Sequence, residues 1–129
     1  DAVPPVVNPH GFTIEWLRAS AGNGLLTHRH ANAQVILVKE GHWTLTLNRE
    51  DEAVEANLEP GTVVSIPENA WRSLCCVSES GKLILVTGSE SRTRIEWSPE
   101  VLDAAFQAGW ALDQNGYIAP TEVLALAAP

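Results

Sequence analysis

The sequence predicts an all-β sandwich or barrel followed by one C-terminal helix, and three observations carry that prediction. From residue 12 onward the chain breaks into short runs rich in Val, Ile, Leu and Thr, separated by Gly, Asn, Pro and Ser at intervals of about ten residues. After Trp97 the pattern changes to a capped segment with apolar residues at helical spacing. The length, 129 residues, is that of one domain, able to bury roughly 65–70% of its unfolded surface without disulfides or metal. Any metal would serve chemistry rather than folding.

Residues 1–11 hold three prolines and a glycine before any periodicity begins, and they read as an extended arm. Eight strand-like runs follow: FTIEWLRA, LLTHRH, QVILVKE, HWTLTLN, VEANL, TVVSIP, WRSLCCV and KLILVTG. QVILV and KLILV are continuously apolar, which fits a buried helix as well as a strand by periodicity; their length and β-branched content assign them to strands. NREDEAVEANLEPG carries Glu50, Asp51, Glu52, Glu55 and Glu59 and reads as a solvated hairpin between core strands. Ser98-Pro99-Glu100 is a helix start, with a capping serine, proline at the first helical position and an acid in the first turn. Val101, Leu102, Ala105, Phe106 and Gly109 then share one face of a helix expected to end near Asn115-Gly116. The apolar tail YIAPTEVLALAAP is expected to dock as well. With no linker and no internal repeat, the expected organisation is one domain over 1–129: arm 1–11, barrel 12–97, helix and tail 98–129.

Composition narrows the partners. The apolar fraction is 45% and the charged fraction 19%, so a packed core is expected. A net charge of −8 with only eight Lys and Arg excludes the electrostatic footprint of a nucleic-acid-binding or anionic-membrane-binding domain. No apolar stretch approaches the ~20 residues of a membrane helix, and the start lacks the basic and apolar regions of a signal peptide. The two cysteines, Cys75 and Cys76, are neighbours whose side chains leave a strand on opposite faces, giving no disulfide framework. A cytoplasmic protein in a reducing compartment is the expectation.

The chemistry concentrates in two spaced patterns. In the first, Gly22 is followed by five residues, His28-Arg29-His30, three residues, Gln34, six residues and Gly41. In the second, Gly61 is followed by five residues, Pro67-Glu68-Asn69, two residues, Arg72, three residues and Cys76. The sequence in this respect resembles a small single-domain cupin, whose motifs have these spacings. Gln34 stands where the family has an acid, Asn69 where it has a turn glycine, Arg72 where it has a histidine and Cys76 where it has an asparagine. The resemblance covers residues 12–88 with the flanking strands. It implies a double-stranded jelly-roll barrel, often dimeric, with its site inside the barrel mouth.

In metal-binding cupins the two histidines, the acid and the second-motif histidine hold one divalent ion: iron, manganese, nickel or zinc. Carried over, this implies His28, His30 and Gln34 as ligands. On a strand, residues two apart do share a face, so His28 and His30 can converge on one point. Arg72 opposes that reading, because a guanidinium has five N–H donors and no lone pair. At ~4 Å from a divalent ion it would cost several kcal/mol at an effective dielectric of ~20.

Three functions follow from these residues. The first is a cavity lined by His28, His30, Gln34 and Arg72 that binds a small anionic ligand, a carboxylate or a phosphate. The second is a metal-dependent dioxygenase, isomerase or lyase. The third is an interaction protein whose helix over 99–114 docks a partner. A homodimer through the arm or an outer sheet is expected in each case. Cys76 would share the cavity face with Arg72 and Leu74 but reads better as a small buried hydrophobe than as a nucleophile. His42 reads as a strand-start residue and His10 as part of the exposed arm. Trp71 reads as an outer-face residue, and Trp16, Trp43, Trp97 and Trp110 as core or interface. No nucleophile elbow, phosphate loop or catalytic carboxylate pair is present.

Overall fold

The computed structural model describes residues 11–88, 94–112 and 118–120, the backbone alone for 110–112 and 118–120. The eight runs all form strands: β1 (Thr13–Ser20), β2 (Gly24–Arg29), β3 (Gln34–Glu40), β4 (Trp43–Leu47), β5 (Val54–Leu58), β6 (Val63–Ile66), β7 (Arg72–Cys76) and β8 (Ser80–Thr87). A two-residue strand β9 (Glu96–Trp97), the helix α1 (Pro99–Gln107) and a small hairpin of β10 (Trp110–Leu112) and β11 (Ile118–Pro120) follow. The pairings are antiparallel, with strand orders β1-β8-β3-β6 in one sheet and β5-β4-β7-β2-β9 in the other. Consecutive strands repeatedly switch sheets, which is the jelly-roll way of hiding one face of each sheet against the other.

Strand alternation then decides what is inside. Ile36 and Val38 of β3, Leu83 and Leu85 of β8, Trp43 and Leu45 of β4, and Leu74 and Cys76 of β7 point inward and, with Leu58 and Ile66, make the buried core. Each contributes roughly 1.5–3 kcal/mol of transfer free energy for the large aliphatics. Trp43 is fully buried, and a Cβ on Gly81 would lie 2.7 Å from its indole nitrogen, so only glycine fits opposite it in β8. The motif glycine Gly41 has φ +82, and its Cβ would sit 2.5 Å from the Ser80 carbonyl oxygen. Asn69, in the second motif's turn position, has φ +60, the left-handed conformation that asparagine tolerates.

The outer face of the first sheet is apolar across all four strands. Trp16, Ile84, Leu37 and Val63 line up in one row, and Ile14, Val86, Val35 and Ser65 in the next. Ile14, Trp16 and Val63 are each more than half exposed. On the outer face of the second sheet, Trp71 lies between the guanidinium groups of Arg29 and Arg49, 4.5 and 4.8 Å from its ring centroid.

Two expectations about local structure change. The acidic loop is solvated as expected, but Glu50–Glu52 form a single 3-10 turn. The helix starts where the cap predicts, with Ser98 Oγ accepting from the Val101 N–H, but it ends at Gln107 rather than near Asn115-Gly116. Gly109 fits the 3.6-residue spacing of the apolar face, yet its φ of +87 places it past the helix end, and Trp110 begins an extended strand. Val101, Leu102 and Ala105 are half-buried and Phe106 is exposed, so the helix covers the barrel only in part. Cys75 and Cys76 are free thiols. No helix among the described residues is long and apolar enough to cross a membrane. The arm up to His10 and the tail beyond Pro120 lie outside the described residues, as does the Trp110 side chain.

Candidate functional site

The ladders bring His28, His30, Gln34 and Arg72 to one end of the barrel. His28 pairs with Arg72 across β2 and β7, after the register slips between Leu25 and His28. The link 30–33 carries the chain from the second sheet to the first, so His30, just past the end of β2, and Gln34, at the start of β3, stand at the same end of the barrel. All four are buried, at 4, 6, 7 and 0% exposure for His28, His30, Gln34 and Arg72. Below this polar layer lie Ile36, Leu74 and Leu85, the start of the apolar core. Polar groups in such a place must find partners or carry a cost of ~1–3 kcal/mol each.

Arg72 finds three partners. Its Nε–H donates to the Ala70 carbonyl at 2.8 Å, Nη2 donates to the Pro67 carbonyl at 3.2 Å, and Nη1 donates to His30 Nε2 at 2.7 Å. A guanidinium has five N–H groups, so two of Arg72's remain to be used. Ion pairs among the described residues join Arg29 to Glu96, Arg49 to Glu50 and Glu100, and Lys82 to Glu40. None of these carboxylates reaches Arg72. Burial lowers its pKa to about 10, which leaves it a cation at neutral pH.

The same bonds fix both histidines. Because Arg72 can only donate, His30 Nε2 must be the acceptor, so the ring proton of neutral His30 sits on Nδ1. That Nδ1 lies near the Asn32 carbonyl but outside hydrogen-bonding geometry. Burial first, then the charges of Arg72 and of His28, push the His30 pKa down to about 4. His28 donates its Nδ1–H to the Leu26 carbonyl at 2.7 Å, leaving its lone pair on Nε2. Its pKa is lowered by burial above all, with the Leu26 carbonyl opposing and Arg72 adding to the effect. Gln34 donates from Nε2 to Thr87 Oγ1 at 3.0 Å, and its Oε1 is buried with no partner among the described residues.

The other residues marked in the sequence fall elsewhere. His42 is exposed at the opposite end, just before Trp43, which pairs with Cys76 rather than with Arg72. Cys76 does share the inward face with Arg72 and Leu74, but four residues of strand, ~13 Å, separate it from Arg72. Among the described residues, no group of three or more His, Cys, Asp and Glu side chains gathers as a metal cluster. Sequence reasoning missed Thr87 and Trp97. Thr87 is the inward residue opposite Gln34 in the β3–β8 ladder, and counting in twos from Leu83 and Leu85 along the strand would have placed it there. Trp97 pairs with His28 through β9 and lies 5.5 Å from its ring, a contact for which a two-residue strand gives no pattern.

Comparison with solved structures gives the fold a wider setting. The chain superposes on an oxalate oxidase with a TM-score of 0.64 at 16% identity, covering 92% of this chain and 58% of that one. It matches a mutant of Bacillus subtilis oxalate decarboxylase with a TM-score of 0.62 at 19% identity, over 75% of this chain and 28% of that one. A chain in the complex of Drosophila melanogaster CENP-C bound to CAL1 matches with a TM-score of 0.52 at 15% identity, over 57% and 60%. The chain therefore spans less than two thirds of the length of each. No family model and no curated protein matches the sequence. Two enzymes and a protein complex on one architecture leave function to be argued from the site. The likeness establishes the architecture: the chain folds as a cupin-type jelly-roll barrel.

Proposed function

We propose that this protein binds a small organic anion at the polar end of its barrel, with Arg72 as the receptor for a carboxylate. The observation that carries the proposal is the fully buried Arg72 guanidinium, which has two N–H groups left over and no carboxylate among the described residues to balance its charge. A carboxylate takes paired N–H groups through two oxygens and supplies the missing negative charge.

The metal-dependent dioxygenase, isomerase or lyase reading fits these residues less well. His30 Nε2, the lone pair a metal would need, is held by Arg72. His28 Nε2 and Gln34 Oε1 remain, two neutral donors beside a fixed cation, with no carboxylate to offset a divalent charge. Residues at the ligand positions of a metal cupin thus serve here as the walls of an anion pocket. The third reading, an interaction protein docked through its helix, loses most of its surface, since α1 ends at Gln107 and half of its apolar face lies on its own barrel. The free thiols of Cys75 and Cys76 favour a reducing, cytoplasmic location. The apolar outer face of the first sheet supports a homodimer.

Two measurements on tag-free protein test the site. Plasma mass spectrometry is expected to find no stoichiometric iron, manganese, nickel or zinc, and near-stoichiometric metal that is lost in His28→Ala would replace this reading with the metalloenzyme. Calorimetric titration with small carboxylates, oxalate included, and with phosphate is expected to find a carboxylate ligand. Arg72→Lys keeps a cation but removes the fork, and is expected to weaken binding by about 10- to 100-fold, the worth of a charge-assisted bond. Unchanged affinity in Arg72→Lys and in Arg72→Leu would refute the assignment.

A further inference from the structure

The polar layer offers more than donors, and this limits what the anion can be. We infer that the ligand is a hydroxy acid, carrying a hydroxyl beside its carboxylate, with Gln34 Oε1 and His28 Nε2 as the acceptors that select the hydroxyl. This rests on the anion-pocket reading and goes one step further.

The hydrogen bonds already made sort the atoms that are left. Gln34 Nε2 is engaged by Thr87 Oγ1, and the atom of Gln34 with no partner among the described residues is its oxygen, on a residue only 7% exposed. His28 Nδ1–H is engaged by the Leu26 carbonyl, so Nε2 is an acceptor. Two N–H groups of Arg72 and the Nδ1–H of His30 are the spare donors. A plain carboxylate would satisfy those N–H groups and leave the acceptors without a donor. A hydroxyl one or two carbons away has the donor they lack.

An ammonium group would also donate, which raises an amino acid as the rival. Arg72, which no carboxylate among the described residues balances, already places a positive charge in this buried end, and a second cation there would be repelled in a low-dielectric setting. A neutral hydroxyl adds the donor without the charge. Sites that hydrogen-bond a substrate hydroxyl reject analogues lacking it far more strongly than apolar pockets reject a missing methylene, because buried polar groups are left unpaired.

Matched pairs of ligands provide the test: glycolate against acetate, lactate against propionate, malate against succinate, with alanine as the amino counterpart of lactate. The hydroxy acid of at least one pair is expected to bind tenfold or more tightly than its deoxy partner, and alanine more weakly than lactate. Gln34→Leu is expected to erase the preference while plain carboxylates still bind, and His28→Leu to reduce it. Equal affinity within every pair would mean that water serves the acceptors, and the inference would fall while the anion pocket stood. A preference that persists in Gln34→Leu and in His28→Leu would also overturn it, as would tighter binding of alanine than of lactate. No binding of any carboxylate would instead bring down the anion pocket itself.

Discussion

A single arginine changes what two histidines can do. Arg72 takes the lone pair of His30, and burial above all, with the Arg72 charge adding to it, keeps both imidazoles neutral, so the cluster has a pH signature of its own. The folded pKa of His30, about 4, lies below the ~6.5 of an unfolded histidine, and between those values the unfolded chain takes up a proton that the fold refuses. Its contribution to stability is complete above about pH 6.5 and is lost as pH falls toward 4, by up to roughly 3 kcal/mol. His28, also lowered, acts in the same direction. The unfolding midpoint is therefore expected to drop across this window in the wild type. His30→Gln still accepts from Arg72 but cannot titrate, and its profile should be flatter there; parallel profiles would contradict a neutral, Arg72-bonded His30. The identities and facing of these residues were legible in the sequence, because strand alternation places His28, His30 and Arg72. The Arg72 bonds to Pro67 and Ala70 were not, since the path of a long side chain back to its own turn has no sequence pattern.

At the scale of elements, Trp71 joins parts that are far apart in the chain. Arg29 of β2 and Arg49, just after β4, stack on its two sides. Arg49 Nη2 donates to both carboxylate oxygens of Glu100 at 2.9 and 3.0 Å, while Arg29 pairs with Glu96. The first turn of α1 and strand β9 are thereby held to the outer sheet. No residue of α1 is fully buried, so its docking rests on this stack together with half-buried Val101, Leu102 and Ala105 and the bond from the Ser98 N–H to the Thr27 carbonyl. Trp71→Leu is expected to cost about 1–2 kcal/mol, two partly exposed cation–π contacts. Hydrogen exchange should then be faster across α1, with carboxylate affinity unchanged because Trp71 points away from Arg72. Protection of α1 that survives the substitution would mean its apolar residues suffice. The sequence placed Trp71 on the outer face by alternation, but it overran the helix, because a glycine at helical spacing reads the same inside a helix and just beyond one. Only the backbone at Gly109, left-handed, separates the two.

The whole molecule shows why the architecture was legible when the activity was not. Eight runs with turn residues between them map onto eight strands, since short β-branched runs bounded by Gly, Asn, Pro and Ser favour a pleated sheet whether or not they alternate. Function depends on which few atoms are left without partners, and that emerges only from the packed ladder. One surface is also left uncovered by the described residues: the two apolar rows on the first sheet, with Ile14, Trp16, Val35 and Val63 exposed. A second copy of the chain is the occupant proposed for it. Isologous packing buries the same rows on both copies. The protein is thus expected to sediment at twice its chain mass of 13.9 kDa at micromolar concentration. Trp16→Glu should yield a monomer, because it places a charge in the middle of the apolar row opposite Ile84. Ligand affinity should survive in that monomer, since the polar cluster lies on the inner side of the barrel. A wild type that sediments as a monomer would reject the dimer, and loss of ligand binding in the Trp16→Glu monomer would mean that the pocket is complete only in the assembled pair.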